Sequence, residues 1–241
     1  MTVVRDADRR RIFLMRHGSV SYFDDEGRPV PPDTVALSAL GREQATAAGR
    51  LFAQSGMRFD RVIVSGLART VETAERVLAE TGQAIALEPR RELREIEGGR
   101  LGDIPLEQLR EAFVGAFDGS GGMGTRFLGG ETVGELMARV VPEIEAFRAD
   151  LGWDVALMVL HGGVNRAVMS FLLTGEKRFL GGLGQAAGCI NAIDLGTERH
   201  DVHVRMLNHS PLDALQTATR KTTMETLFDQ YHAFRSRTKE S

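Results

Sequence analysis

The 241-residue sequence predicts an α/β fold, a three-layer α/β/α sandwich in which helices cover both faces of a mainly parallel sheet. Short apolar runs alternate along the chain with stretches of helical periodicity. Several of these runs stop abruptly at polar residues or glycine, as buried parallel strands do. Two later runs face each other across a short polar connection, which indicates an antiparallel hairpin at one edge of the sheet.

The first predicted unit is a strand, a long loop and a helix. The apolar run 12–15 predicts a buried strand that ends before Arg-His-Gly at 16–18. Three prolines and a glycine predict a loop over 24–36, and Ser38 is predicted to be the N-cap of the helix that follows. The apolar stripe of that helix is predicted to be Leu40, Ala47, Ala48 and Leu51.

The same alternation continues along the chain. The further predicted elements are a strand over 62–64, a helix over 68–80, a short strand over 85–87, a strand over 156–160, a helix over 164–173 and an edge hairpin of 189–195 with 202–207. Strands joined by helices favour parallel pairing in the body of the sheet.

The remaining segments are assigned to one domain with loose ends. The interval 103–150 is predicted to be a helical insertion, in which Thr132 and Glu135 form a capping box and the Gly-rich stretch 119–130 forms a flexible connection or lid. The predicted organisation is a flexible leader over 1–10, a single domain over 11–236 with a helix over 217–234, and a frayed tail over 237–241.

Composition narrows the class of protein. The formal net charge of −3 gives no reason to expect nucleic acid as a partner. A single cysteine excludes an intrachain disulfide and is typical of a reducing compartment, so we predict a cytoplasmic protein. No apolar run approaches the roughly 20 residues that span a bilayer, and we expect no membrane partner.

Cationic side chains follow three of the predicted strands. Arg16 and His17 end the first strand, Arg69 follows the second, and His161 ends the strand over 156–160. Because ligands of open α/β sheets bind beyond the carboxyl ends of the strands, these four side chains are expected to converge. They suit a phosphoryl dianion, since arginine grips two phosphate oxygens and a neutral imidazole nitrogen can attack phosphorus.

A carboxylic acid is expected to complete the set. Glu92, Glu95 and Glu97 lie just after a predicted strand, and a carboxyl beside a phosphate can act as a general acid. The cationic residues would supply the charge that a metal ion otherwise brings, so neither metal nor cofactor is expected.

Six motifs in order resemble those of the histidine phosphatase superfamily, in its phosphoglycerate mutase-like branch. They are Leu14-Met15-Arg16-His17-Gly18, Leu37-Ser38 with Gly41 and Gln44-Ala45, Ser65 to Ala74 around Arg69, Leu93-x-Glu95 with Gly99, Gly129-Gly130-Glu131-Thr132, and Leu160-His161-Gly162-Gly163-Val164. The resemblance covers residues 12–175 and implies a phosphoglycerate mutase-like fold. It also implies a phosphoric monoester hydrolase acting on a small phosphomonoester, with a homodimer possible by analogy.

The resemblance assigns a role to each site residue. His17 would be the nucleophile that forms a phosphohistidine, and Glu95 would protonate the leaving group and then activate water. The phosphoryl oxygens would be bound by Arg16, Arg69 and His161, helped by the backbone N–H of Gly162 and by Ser19 after the tripeptide.

Two other functions stay open at this point. A cofactor-dependent mutase is disfavoured because Ser21-Tyr22-Phe23 stands where mutases typically continue with Trp-Asn. A non-catalytic phosphate-binding module is disfavoured because His17 and Glu95 are both present. Arg28 is the one basic residue between 19 and 36, which favours a neutral or apolar leaving group.

Overall fold

A computed structural model describes residues 9–117, 122–218 and 220–240. The predicted leader therefore lies outside the described residues except for Arg9 and Arg10, and Arg10 already begins the first strand. Within these ranges no helix is long and apolar enough to cross a membrane.

Six strands form one sheet whose body is parallel and whose edge is antiparallel, as predicted. The strands are β1 (Arg10–Arg16), β2 (Arg61–Val64), β3 (Leu87–Pro89), β4 (Val155–Leu160), β5 (Ile190–Leu195) and β6 (Val202–His209). Their order is β3-β2-β4-β1-β5-β6. The first four pair in parallel, whereas β5 and β6 run antiparallel to their neighbours.

Helices cover both faces of this sheet. They are α1 (Ala39–Gln54), α2 (Ala68–Thr81), α3 (Leu109–Val114), α4 (Val133–Ala149), α5 (Gly162–Thr174) and α6 (Thr223–Glu240). Alternate residues of β1 face opposite layers, since Ile12 packs among residues of α4 and α5, and Phe13 packs among residues of α1 and α2. The predicted α/β/α sandwich is confirmed.

The predicted stripe of α1 is confirmed in part. Ala48 is buried and Leu51 packs against the same core, but Leu40 is half exposed, and the other buried residues of the helix are Gly41, Ala45, Gly49 and Phe52. A side chain at Gly49 would crowd the backbone of Val77 in α2 at 3.0 Å. The two helices therefore approach closely at small residues.

The predicted insertion divides into two parts. Helix α4, with the expected capping box of Thr132 and Glu135, buries its apolar face in the main core and belongs to the sandwich. The described part of the Gly-rich stretch is hydrogen-bonded: Phe127 N–H donates to the carbonyl of Glu131, and Glu131 N–H donates to that of Glu97. Residues 119–121 of the predicted lid lie outside the described residues.

A smaller apolar cluster lies beside the sandwich. Helix α3 packs against α6 there, around Leu109, Phe113 and Tyr231. Helix α6 begins later than the helix predicted over 217–234, and it continues to Glu240. The tail predicted to fray over 237–241 is thus helical as far as the structure describes it.

Candidate active site

The register of the parallel strands brings three motifs side by side. Arg16 at the end of β1 pairs with Leu160 at the end of β4, and Val64 of β2 pairs with Val159. The residues that follow, His17 and His161, consequently meet with ring centroids 5.2 Å apart. The expectation that strand ends gather these side chains agrees with the geometry.

The backbone after β1 fixes the position of His17. Its N–H donates to the carbonyl of Leu160 at 3.0 Å, and its carbonyl accepts from Gly188 N–H at 3.0 Å. Gly18 N–H donates to Thr73 Oγ1 at 3.2 Å. A side chain on Gly18 would overlap the carbonyl of Gly41, so main chain packs directly on main chain beneath the imidazole.

The ring of His17 is held neutral with one nitrogen available. Nδ1 lies 2.7 Å from the carbonyl oxygen of Gly18, which can only accept, so Nδ1 carries the proton and Nε2 keeps its lone pair. Burial, followed by the charges of Arg16 and Arg69, holds the pKa of His17 well below its usual range. A neutral ring with a free Nε2 is the nucleophilic form of histidine.

The two arginines are anchored at one end and open at the other. Nη1 of Arg16 donates to the carbonyl of Gln185 at 2.6 Å, and Nη1 of Arg69 donates to that of Pro32 at 2.7 Å. Both side chains are buried, and Nε of each has no hydrogen-bond partner. Buried donors normally have a hydrogen-bond partner. Because these two nitrogens lack one within the protein, they are available to bind an anion.

His161 offers a third buried nitrogen without a partner. Its Nε2 lies 2.7 Å from Ser65 Oγ, and its Nδ1 is buried without a hydrogen-bond partner. Ser65 Oγ also accepts from the N–H of Leu67 at 3.3 Å and lies 3.1 Å from Thr70 Oγ1. The serine therefore holds the ring so that Nδ1 faces away from it. Burial, then His17 and the arginines, keeps the pKa of His161 well below its usual range.

Of the three candidate carboxylates, Glu95 is the one at the site. It is half buried, whereas Glu92 and Glu97 are exposed. Its carboxylate accepts from the N–H of Gly163, at 3.1 Å to each oxygen, and from its neighbour Ile96 at 3.0 Å. Gly163 lies in the first turn of α5, two residues after His161. The carboxylate therefore lies at the N-terminus of α5.

Sequence reasoning missed three residues that support these groups. Arg139 of α4 donates to the carbonyls of Arg94 and Glu95 at 2.7 and 3.1 Å and so fixes the segment that carries the carboxylate. Ser65 was quoted within a motif without a role. Arg166 donates to the carbonyl of Gly162 at 3.0 Å, and burial, then Arg16, lowers its pKa to about 10. The spacing of four residues between Gly162 and Arg166 on the predicted helix is the available signal.

Ser19 and Gly162, the other two predicted phosphate-binding residues, lie close to the residues of the site. The N–H of Ser19 donates to Gln44 Oε1 at 2.8 Å, and Gly162 begins α5 beside the Arg16 guanidinium. Phe127 is buried in the main core, with its ring 5.5 Å from that of Phe117. Tyr22 is half buried. Burial raises its pKa, and the charges of Arg69 and Arg16 oppose that rise.

The histidines of the edge hairpin lie elsewhere. His203 Nε2 contacts Asp201 Oδ1 at 3.1 Å, and His209 is the last residue of β6. Across the three described ranges, no three His, Cys, Asp or Glu residues are grouped so as to hold a metal ion.

Comparisons with known proteins agree with the motifs. The profile of the histidine phosphatase superfamily (branch 1) matches residues 12–208. A 2,3-bisphosphoglycerate-dependent phosphoglycerate mutase of Rhizobium etli is 33% identical over 165 residues, which are 65% of this chain and 77% of that protein. A broad-specificity phosphatase of Saccharomyces cerevisiae is 28% identical over 67% of this chain and 70% of its own length.

Solved structures share the fold. The crystal structure described as a putative alpha-ribazole-5'-P phosphatase from Escherichia coli superposes with a TM-score of 0.63 and 25% identity. The superposition covers 83% of this chain and 96% of that one. The strand order and the helix layers are therefore those of a known phosphatase-like fold.

Proposed function

The chain belongs to the histidine phosphatase superfamily (branch 1) and is a phosphoric monoester hydrolase of that kind, and on this premise we propose its mechanism and substrate class. It is a metal-independent phosphatase that hydrolyses a small phosphomonoester through a phosphohistidine on His17. Glu95 serves as the general acid and then as the general base.

One observation carries the proposal. Three buried side-chain nitrogens without partners, Nε of Arg16, Nε of Arg69 and Nδ1 of His161, which we propose carries the imidazole proton, belong to the residues that surround the free Nε2 of His17. A bound phosphoryl group would satisfy all three at once, since each of its oxygens accepts hydrogen bonds. Donors fixed in advance also stabilise the charge on the equatorial oxygens in the transition state, without a metal ion.

The first step transfers the phosphoryl group. Nε2 of His17 forms a bond to phosphorus while the bond to the ester oxygen breaks, and that oxygen takes a proton from Glu95. The ring then carries a positive charge, which the hydrogen bond from Nδ1–H to the carbonyl of Gly18 stabilises. The alcohol leaves neutral.

The second step regenerates the enzyme. The carboxylate of Glu95 takes a proton from water, the water oxygen bonds to phosphorus, and the P–N bond breaks. His17 returns to its neutral form with the proton on Nδ1. Inorganic phosphate leaves and Glu95 is again protonated, so the atoms and charges of the cycle balance.

The leaving group is proposed to be neutral or apolar. Arg28, the basic residue of the loop 19–36, is paired within that loop with Asp24 at 2.7 Å and with Glu26 at 2.7 Å. Its charge is therefore compensated before any substrate arrives. Phe23 in the same loop packs on Tyr231, which adds an apolar surface on that side.

Phosphate release in excess EDTA tests the proposal. The panel contains neutral-headed alkyl phosphates, sugar bisphosphates, nucleotides and an aryl phosphate, with His17→Ala and the exposed-site control His200→Ala alongside wild type. Release is expected from wild type and the control and is expected to be lost in His17→Ala. Equal release from His17→Ala would overturn the nucleophile, and no release from any ester would favour a phosphate-binding module.

A mutase is the second candidate, because the Rhizobium etli relative carries that name. A mutase would interconvert monophosphoglycerates when primed with a bisphosphate and would release little phosphate. Assaying 3-phosphoglycerate with 2,3-bisphosphoglycerate distinguishes the two. Isomerisation faster than phosphate release would replace the phosphatase proposal.

A further inference from the structure

Arg16 has a second anchor that comes from the far end of the chain. Its Nη1 donates to Oγ1 of Thr223 at 2.8 Å, in addition to the carbonyl of Gln185. Thr223 is the first residue of α6, and the superfamily profile matches only residues 12–208. The C-terminal helix thus contributes a side chain to the phosphate-binding arginine from outside the matched region.

The contact is independent of the helix cap. Thr222 forms the capping box of α6, because its N–H donates to Glu225 Oε2 at 2.7 Å and its Oγ1 accepts from Glu225 N–H at 3.2 Å. The hydroxyl of Thr223 is therefore not needed to start the helix. Its hydrogen bond to a charged donor is one of the stronger kinds.

The position of α6 is itself fixed against the substrate side of the molecule. Tyr231 is 3% exposed, and its ring stacks on that of Phe23, with centroids 6.2 Å apart. The ring of Phe113 in α3 lies 6.0 Å from the same tyrosine. Helix α6 consequently touches the loop 19–36, helix α3 and the arginine at once.

We infer that Thr223 is a positioning residue for Arg16. With Nη1 held by two acceptors, the guanidinium cannot rotate about its stem, and its unpartnered Nε stays directed to the place of the phosphoryl group. Loss of the Thr223 acceptor leaves one anchor and allows the plane to tilt. The inference rests on the proposed phosphate-binding role of Arg16.

The variants are chosen to separate positioning from folding. Thr223→Val keeps the shape and removes the acceptor, whereas Thr223→Ser restores it. Thr226→Val is the matched control, because Thr226 is an exposed threonine of the same helix. Binding of inorganic phosphate is measured by calorimetry on the full chain, together with kcat and KM for the best ester and the melting temperature.

Thr223→Val is expected to weaken phosphate binding on the order of tenfold, since the lost bond involves a charged group. Thr223→Ser should bind within about twofold of wild type, as should Thr226→Val. Unchanged phosphate affinity in Thr223→Val would overturn the inference, as would an equal loss in Thr226→Val. If wild type binds phosphate but hydrolyses no ester, the phosphatase proposal fails while the affinity comparison still decides the role of Thr223.

Discussion

The hydroxyl oxygen of Ser65 lies 2.7 Å from Nε2 of His161, so a residue just after β2 orients the ring of a residue just after β4. The same hydroxyl lies 3.1 Å from Thr70 Oγ1 and accepts from Leu67 N–H at 3.3 Å, so it is itself held in place. Nδ1 on the other side of the imidazole has no partner.

Ser65→Ala should therefore impair catalysis through His161. We expect kcat to fall on the order of tenfold to a hundredfold, because the buried imidazole then loses the hydrogen bond that orients it toward the phosphoryl group. Thr70→Val is the control, since it removes the 3.1 Å contact of Thr70 with Ser65 and leaves the bond to His161. Equal kcat values for the two variants would contradict this role.

Glu95→Gln tests the general acid. With an alkyl ester, kcat should fall on the order of 100-fold to 1,000-fold, because the departing alkoxide finds no proton. With an aryl ester, whose phenolate leaves unaided, a burst of about one phenol per enzyme should precede slow turnover as phosphohistidine accumulates. Glu97→Gln is the exposed control. A similar loss with both esters and no burst would argue against the acid role.

Gly163→Ala should reproduce part of the loss of kcat expected for Glu95→Gln, although it leaves the carboxylate of Glu95 chemically unchanged. The added carbon would stand 2.6 Å from Glu95 Oε1, so the end of that side chain must move away. Phosphate affinity should stay near that of wild type while kcat falls. Gly182→Ala, where the added carbon meets nothing within 4 Å, is the control. Wild-type turnover in Gly163→Ala would show that Glu95 need not stay at its observed position.

The two buried histidines predict how stability depends on pH. Their pKa values lie well below 6.5 in the folded state, so only the unfolded chain takes up their protons as the pH drops below about 6.5. Above that pH the two histidines therefore do not lower the free energy of unfolding. It should fall by ~1.4 kcal/mol per pH unit for each histidine between 6.5 and the folded values.

Urea unfolding between pH 7.5 and 5 measures this slope. His161→Asn should remove the contribution of one histidine to the slope of the unfolding free energy against pH. His200→Asn should leave that slope unchanged because His200 is exposed. A slope that is the same in wild type and His161→Asn would mean that His161 is protonated in the folded protein.

Cys189 is expected to report unfolding. It is the single cysteine of the chain and is fully buried, and burial raises the pKa of its thiol to about 11. Because only the thiolate reacts, iodoacetamide at pH 8 should leave the native protein unlabelled and modify one site in urea. Rapid stoichiometric labelling of the native state would contradict this expectation and would show that the segment around Cys189 becomes exposed without global unfolding.

Much of this molecule could be predicted from local signals. The strands that carry Arg16, His17 and His161 are short apolar runs with polar ends, and parallel pairing brings such ends together whatever the details of register. The capping box at Thr132 is likewise a local pattern, and the structure contains it.

What escaped prediction depends on contacts between distant segments. Thr223 meets Arg16 across 207 positions of sequence, and no periodicity encodes that distance. The error in α1 concerns Leu40, which is exposed, and Gly41, Ala45 and Gly49, which are buried, because a close helix contact uses small residues that hydrophobic periodicity does not single out. Arg139 resembles a surface residue until its carbonyl partners are known.

The two ends of the loop after the nucleophile are hydrogen-bonded to each other. The carbonyl of Ser19 accepts from both the N–H and the hydroxyl of Ser38, at 2.9 and 3.1 Å, and Val20 bridges to Leu37 just beyond. The tie from this loop to Arg69 also runs through a main-chain atom, the carbonyl of Pro32. Both ends of the loop 20–36 are therefore held beside the nucleophile by main-chain acceptors, so a change of an exposed side chain between them need not displace His17.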